Sequence, residues 1–436
     1  MRNNGDAGAA STSGRLVRFV VAAPHSGSGK TVITTGLIAA LAARGRSVHP
    51  AKVGPDYIDT AFLAAAAGRP ALNLDLWAMR PALVAALADH DDLVVEGVMG
   101  LFDGPSSGVG STADIARLLA LPVVLVVDAS RQSQSVAALV HGFATFDRTI
   151  TIAGVILTRV GSVKHARMLR EALAVTELAC LGTVPRDERL AFPSRHLGLY
   201  QAGEYADITE RIDAIGRIIS GVVDLPAIEA LDGPRRTAPA LPDALPPPGQ
   251  RIAVASDQAF SFAYAHILDG WRRAGASLHP FSPLGDEAPD PAADAVVLPG
   301  GYPELYAGRL AAGTRWKAGL AAAAARGALV VGECGGYMAL GETLVDADGA
   351  PHAMAGLLPI ATSFATRART LGYRELTHDG GLLPRRLRGH EFHYATIARE
   401  GPPLFEARDA DGRALGPIGT RVGTVCGSFA HVIDTV

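Results

Sequence analysis

Apolar positions in the first half of the chain fall in short runs separated by longer stretches of helical spacing. The run Val17-Arg18-Phe19-Val20-Val21-Ala22 is nearly continuous and predicts a buried strand. Residues 31–44 carry apolar side chains on most faces and predict a buried helix. Runs at 93–95, 123–127 and 154–157 predict further strands, and 133–143 and 164–174 predict helices between and after them. Strands separated by helices make the expected fold class α/β, with a mostly parallel, doubly wound sheet.

The pattern stops near residue 230. Residues 231–250 run from Gly233-Pro234 to Pro246-Pro247-Pro248-Gly249, where prolines remove backbone donors, so a linker without packed elements is expected. A second alternation begins at Ile252-Ala253-Val254-Ala255, with strands expected at 278–281, 295–298 and 328–331. The tail after residue 354 has short, glycine-punctuated strands. This predicts one domain over 17–230 and another over 251–436. Residues 1–16 are polar and small, and are expected to be a disordered leader.

Composition narrows the function classes. A formal net charge of −3 gives no electrostatic case for a nucleic-acid partner. No apolar run is long enough to span a bilayer. Three cysteines, Cys180, Cys334 and Cys426, lie too far apart for a metal-ligand spacing and too few for a disulfide framework, so a reducing, cytoplasmic setting is expected.

Two segments carry chemistry. In the first, Ser26-Gly27-Ser28-Gly29-Lys30-Thr31 follows a predicted strand and opens a predicted helix. Such a loop turns backbone N–H groups toward phosphate oxygens, with a lysine for the outer phosphates and a hydroxyl for magnesium. The motif normally begins with a glycine where this chain has Pro24, so the loop is a deviant one. Carboxylates for magnesium and phosphoryl chemistry are offered by Asp56 and Asp59, and by Glu96 and Asp103.

In the second, Gly332-Glu333-Cys334-Gly335-Gly336 follows a predicted strand, as a nucleophile elbow requires. A helix N-terminus behind Cys334 would lower its pKa. His431 is the strongest imidazole partner, and the backbones at Gly301 and Gly335 are oxyanion-hole candidates. Cys180 and Cys426 lack the glycine frame and are expected in the core. His390 and His393, flanking Glu391, could line a pocket.

These segments together resemble the corrin-ring a,c-diamide synthases. The likeness is carried by residues 26–31, by Lys52-Val-Gly-Pro-Asp-Tyr-Ile-Asp59, by residues 95–104 and 195–199, and in the second half by 281–284, 300–304, 333–336, 371–375 and 389–394. The resemblance implies a dethiobiotin-synthetase-like P-loop domain followed by a class I glutamine amidotransferase-like α/β domain. It implies that Cys334 attacks glutamine, assisted by His431, and releases ammonia. ATP would be held by residues 26–31, with magnesium on Thr31, Asp56 and Glu96. Asp59 and Asp103 would stand by the substrate carboxylate, phosphorylated to an acyl phosphate and then amidated. The expected substrate is hydrogenobyrinic acid. Cobyrinic acid and nickel-sirohydrochlorin stay open as alternatives, as does a homodimeric state. Cobyric acid synthases share the two-domain plan but usually lack the 52–59 and 389–394 segments. A partition-type ATPase switch would account for the phosphate loop and leave Cys334 unexplained. Many class I amidotransferases place a glutamate two residues after the histidine; here that residue is Ile433, followed by Asp434.

Overall fold

The computed structural model describes residues 15–106, 108–192, 194–195, 198–199, 201–235, 242, 245–381 and 383–436. The expected leader therefore lies almost wholly outside the described residues, as do the middle of the expected linker and parts of the 195–199 segment.

The first half is built on seven strands: β1 (Arg18–Ala22), β2 (His49–Val53), β3 (Leu72–Leu74), β4 (Leu93–Glu96), β5 (Val123–Asp128), β6 (Ile152–Val160) and β7 (Cys180–Pro185). Their order is β3-β2-β4-β1-β5-β6-β7, and every pairing is parallel. Alternation along β1 shows why the sheet is covered twice. Phe19 and Val21 pack with Ile33 and Leu37 of helix α1 (Lys30–Ala43) and with Ile215 and Ile219, while Val20 and Ala22 face Leu83, Ile115 and Val136 on the other side.

The predicted strands and helices of this half are present, within a few residues. β2, β3 and β7 were not predicted. β2 reads His-Pro-Ala-Lys-Val, a polar pattern for a strand between two neighbours, and its Lys52 is buried because the site needs it there.

In the second half a six-stranded sheet contains Ser277–Phe281, Arg251–Ala255, Ala295–Leu298, Leu329–Glu333, Val425–Ser428 and Thr420–Val422, in that order, parallel except for the last. A five-stranded antiparallel sheet includes Thr370–Thr377, Arg386–His393 and the C-terminal strand Ala430–Thr435. No element occupies the described part of 231–250, yet its end is packed. Leu245 to Pro248 line a cavity of about 110 Å³ with Trp271, Glu333 and Leu387. Among the described residues no helix is long and apolar enough to cross a membrane.

The two halves are docked. Arg80 holds the buried Asp434 through both carboxylate oxygens (2.9 Å each), Tyr373 donates to Asp75 (2.7 Å), and Arg388 donates to the Trp77 carbonyl (2.8 Å). One continuous apolar core runs from Leu74, Trp77 and Leu83 into Val254, Trp271 and Leu387.

Candidate active site

A cavity of about 950 Å³ opens over the C-terminal ends of the first sheet, and residues 26–31 form one wall. Gly27 and Gly29 have φ values of 81° and 94°, the left-handed region that glycine enters without steric cost. α1 begins at Lys30, directly after Gly29, so the loop feeds a helix N-terminus. Thr158 at the end of β6 donates to the Ser28 carbonyl (2.9 Å) and braces the loop from below. Lys30 is folded onto the Met99 carbonyl (2.5 Å), and burial, with Lys52 nearby, lowers its pKa to about 8.

Acidic groups gather around a residue that motif reading did not place in the site. Lys52 donates to Asp59 (2.6 Å), to Glu96 (3.0 Å) and to the Gly97 carbonyl (3.2 Å). Burial works against its charge, but Asp59 and Glu96 outweigh that, and its pKa is raised. A signal was present in the sequence: only four of the 40 basic residues are lysines, and two of those four, Lys30 and Lys52, are buried here.

Glu96 accepts from Thr31 (2.6 Å) through the oxygen that also meets Lys52; its other oxygen is buried without a partner among the described residues. Burial raises its pKa to about 7, against the pull of Lys52. An unpartnered carboxylate oxygen beside a loop threonine fits a divalent cation. Among the described residues no three acidic, histidine or cysteine side chains cluster as a metal cage.

Asp59 rather than Asp56 shares Lys52 with Glu96. Asp56 lines the same cavity and caps the turn by accepting the Asp59 amide (2.7 Å), with burial and Asp59 raising its pKa to about 6. Asp103 accepts the Gly100 amide (2.9 Å) in its own loop and is not in the cavity wall.

The second centre is an elbow. Cys334 has φ 46° and ψ −103°, a strained conformation for a residue with a side chain, between strand Leu329–Glu333 and helix Gly335–Leu340. A Cβ on Gly336 would lie 1.9 Å from the Leu298 carbonyl oxygen, so the turn closes only with glycine there. A Cβ on Gly335 would fall 2.9 Å from the Gly301 nitrogen, which sets the two oxyanion candidates side by side. The expected lowering of the thiol pKa is not found. Burial pushes Cys334 upward, reinforced by Glu304, and the Gly335 amide offsets only part. The helix behind it has six residues, and its field does not offset a site closed to water.

His431 is buried and leans edge-on against Gly300. Burial, then His390, lowers its pKa to about 3, so the ring is neutral. Among the described residues the Cys334 thiol has the Phe392 carbonyl (3.9 Å) as its hydrogen-bond partner, not His431. His393 bonds to Glu391 (2.9 Å), which also accepts from Arg374 (2.6 Å), and stacks on Phe429; this network is internal to the fold. Cys426 is buried in the core as expected, and Cys180 is half-buried.

The two centres touch through Tyr57, which lies between Asp56 and Asp59. Its hydroxyl is 3.1 Å from His431 Nδ1, and its ring stacks on Tyr264 (4.4 Å between centroids) and Phe262 (5.1 Å). Tyr264 in turn donates to the Pro55 carbonyl (3.1 Å). One six-residue stretch, 54–59, thus runs from the phosphate cavity to the second centre.

Comparison with known proteins agrees with this arrangement. Residues 19–199 match the CobQ/CobB/MinD/ParA nucleotide binding domain, and residues 251–435 match the CobB/CobQ-like glutamine amidotransferase domain. A hydrogenobyrinate a,c-diamide synthase of Brucella anthropi is 54% identical over 95% of this chain and 98% of its own. The enzyme of the same name from Brucella suis is also 54% identical, with the same coverage. That from Rhizobium meliloti is 52% identical over 95% of this chain and 99% of its own. With a phosphate loop, a cysteine elbow and this likeness along nearly its whole length, the chain belongs to the hydrogenobyrinate a,c-diamide synthase family.

Proposed function

We propose that the protein amidates the a and c acetate carboxylates of hydrogenobyrinic acid, using ATP and glutamine. The observation that carries the reading is the pairing of a phosphate loop and a strained cysteine elbow in one docked unit, joined by residues 54–59.

In the second half, neutral His431 takes the proton of Cys334, and the thiolate attacks the glutamine carboxamide. The oxyanion is received by the amides at Gly301 and Gly335. The imidazolium returns the proton to the amide nitrogen, the C–N bond breaks and ammonia leaves; water then hydrolyses the glutamyl thioester, releasing glutamate and the thiol. Closure of the site keeps the thiol protonated until glutamine arrives.

In the first half, residues 26–31 hold the ATP phosphates and Lys30 turns from Met99 to the outer phosphate. Thr31 and Glu96, with Asp56 at the same cavity, are the residues that would hold magnesium. When bound, the ion supplies positive charge to the phosphate oxygens. Lys52 keeps Asp59 and Glu96 in place before substrate binds. A carboxylate is a poor electrophile, so the substrate oxygen attacks the γ-phosphate and ADP leaves; ammonia then displaces phosphate from the acyl phosphate to give the amide. The cycle runs once for each acetate. Three unpaired cysteines favour a reducing, cytoplasmic setting. Both centres are built from one chain, so a dimer is not required to complete either.

The test is mass spectrometry of hydrogenobyrinic acid after incubation with protein, ATP, magnesium and glutamine, with cobyrinic acid in parallel. Two OH-to-NH2 exchanges lower the mass by about two units and confirm the double amidation. Faster turnover of cobyrinic acid would move the assignment to the cobalt-containing substrate. No change in either corrinoid would overturn it.

A further inference from the structure

His431 can accept the thiol proton on one ring nitrogen only if its own proton sits on the other, and that tautomer needs an acceptor there. The position that often supplies a carboxylate, two residues on, is Ile433, a buried apolar residue. Asp434 follows it but is turned to the other half, where Arg80 takes both of its oxygens. Glu391 is engaged by Arg374 and His393.

A further carboxylate lies at hand. Glu333 immediately precedes the nucleophile and sits opposite Ser428 in the paired strands that end beside His431. Its Oε1 accepts the Val432 amide (3.1 Å), the next backbone N–H after His431, and its Oε2 lies 3.8 Å from His431 Nδ1. The carboxylate is therefore anchored to the backbone that carries the histidine, with its other oxygen at ion-pair rather than hydrogen-bond distance from the ring. Tyr57 is nearer to Nδ1, but a phenol can donate or accept and so leaves the tautomer open. Burial raises the Glu333 pKa to about 7, against the pull of the Val432 amide, so near neutral pH the carboxyl is present in both forms; the ionised form only accepts, and it stabilises the imidazolium formed when the thiol is deprotonated.

We infer that Glu333 is the positioning carboxylate of the glutaminase centre: it anchors the backbone next to His431 and, by its charge, biases the ring proton toward Nδ1. This rests on the glutaminase reading of Cys334 and His431. Nucleophile and positioning acid are then consecutive residues, set by the same strand end, whereas the commoner arrangement places the acid after the histidine.

The test is the Glu333→Gln variant of the full-length protein. Glutamine keeps the shape and an oxygen for the Val432 amide, and removes only the charge. Corrinoid amidation is measured with glutamine and, separately, with ammonium chloride, which bypasses this centre. The ratio of the two rates should fall about 10- to 100-fold, in kcat, with KM for glutamine changed by less than about threefold. Glu333→Asp should recover part of the ratio. A ratio unchanged in the Gln variant, including a parallel fall in both rates, overturns the inference, as would a Gln variant that surpasses Asp. Cys334→Ser is run beside them. If it retained glutamine-supported synthesis, the glutaminase reading itself would fail; if it lost it while Glu333→Gln kept the normal ratio, only the role of Glu333 would fail.

Discussion

Gly300 gives the sharpest handle on the second centre. Its backbone is outside the left-handed region, so alanine adds a contact and no backbone strain. The added Cβ would lie 2.2 Å from Cε1 of His431 and 3.0 Å from Nε2. Ordinary contact begins near 3.4 Å, so the ring must retreat by about 1.2 Å. It cannot do so freely, because its Nδ1 bonds to the Tyr57 hydroxyl at 3.1 Å and the two rings are in contact. A misplacement of about 1 Å in a catalytic group costs about 100-fold in rate. Gly300→Ala should therefore lower glutamine-supported amidation about 100-fold while leaving ammonium-supported amidation within about twofold. Mass spectrometry of the corrinoid product with each nitrogen source reads both rates. Normal glutamine use by a folded Gly300→Ala protein would refute the placement of His431 against this loop, and with it the base assigned to Cys334.

Three further outcomes are expected. Lys30→Ala should suppress amidation from glutamine and from ammonium alike, by at least about 100-fold, because both routes need the activated carboxylate; normal turnover would sink the phosphate-loop reading. Arg80→Ala removes the guanidinium from Asp434, which is 1% exposed and keeps, among the described residues, only the Arg80 and Thr435 amides, and should cost about 3 kcal/mol of stability, read as a lowered urea midpoint. His390 is half-buried opposite His431 in the strand pairing, and desolvation with Arg374 lowers its pKa to about 4. A depressed histidine pKa means the unfolded chain binds the extra proton, so stability is lost as pH falls from about 6.5 toward about 4. At about 1.4 kcal/mol per pH unit, acidification to pH 5 should cost about 2 kcal/mol from this residue, and His390→Gln should lose correspondingly less in urea titrations at the two pH values. Equal losses in the two proteins would remove His390 from the account.

Much of the molecule was legible in one dimension. A strand that is apolar throughout, as at 17–22, has the same reading in any fold that covers both faces, and the loop at 26–31 and the elbow at 332–336 need glycine for local reasons that travel with the motif. Even so, β2 was missed. Its proline and lysine contradict strand patterning, and only its place between β3 and β4, with Lys52 aimed at Asp59 and Glu96, makes that composition sensible.

What the sequence alone determined was therefore the parts: two α/β halves, a phosphate loop and a cysteine elbow, each specified by residues that are neighbours in the chain. Tertiary structure decided how the parts meet. Tyr57 reaches His431 across 374 positions, Asp434 is claimed by Arg80 rather than by the histidine, and Glu333 faces the ring from beside the nucleophile. It also reversed the expected thiol shift, because burial of Cys334 outweighs the short helix behind it. Motifs encode local backbone geometry. Desolvation and pairing between distant segments depend on which surfaces are pressed together, and spacing along the chain does not record that.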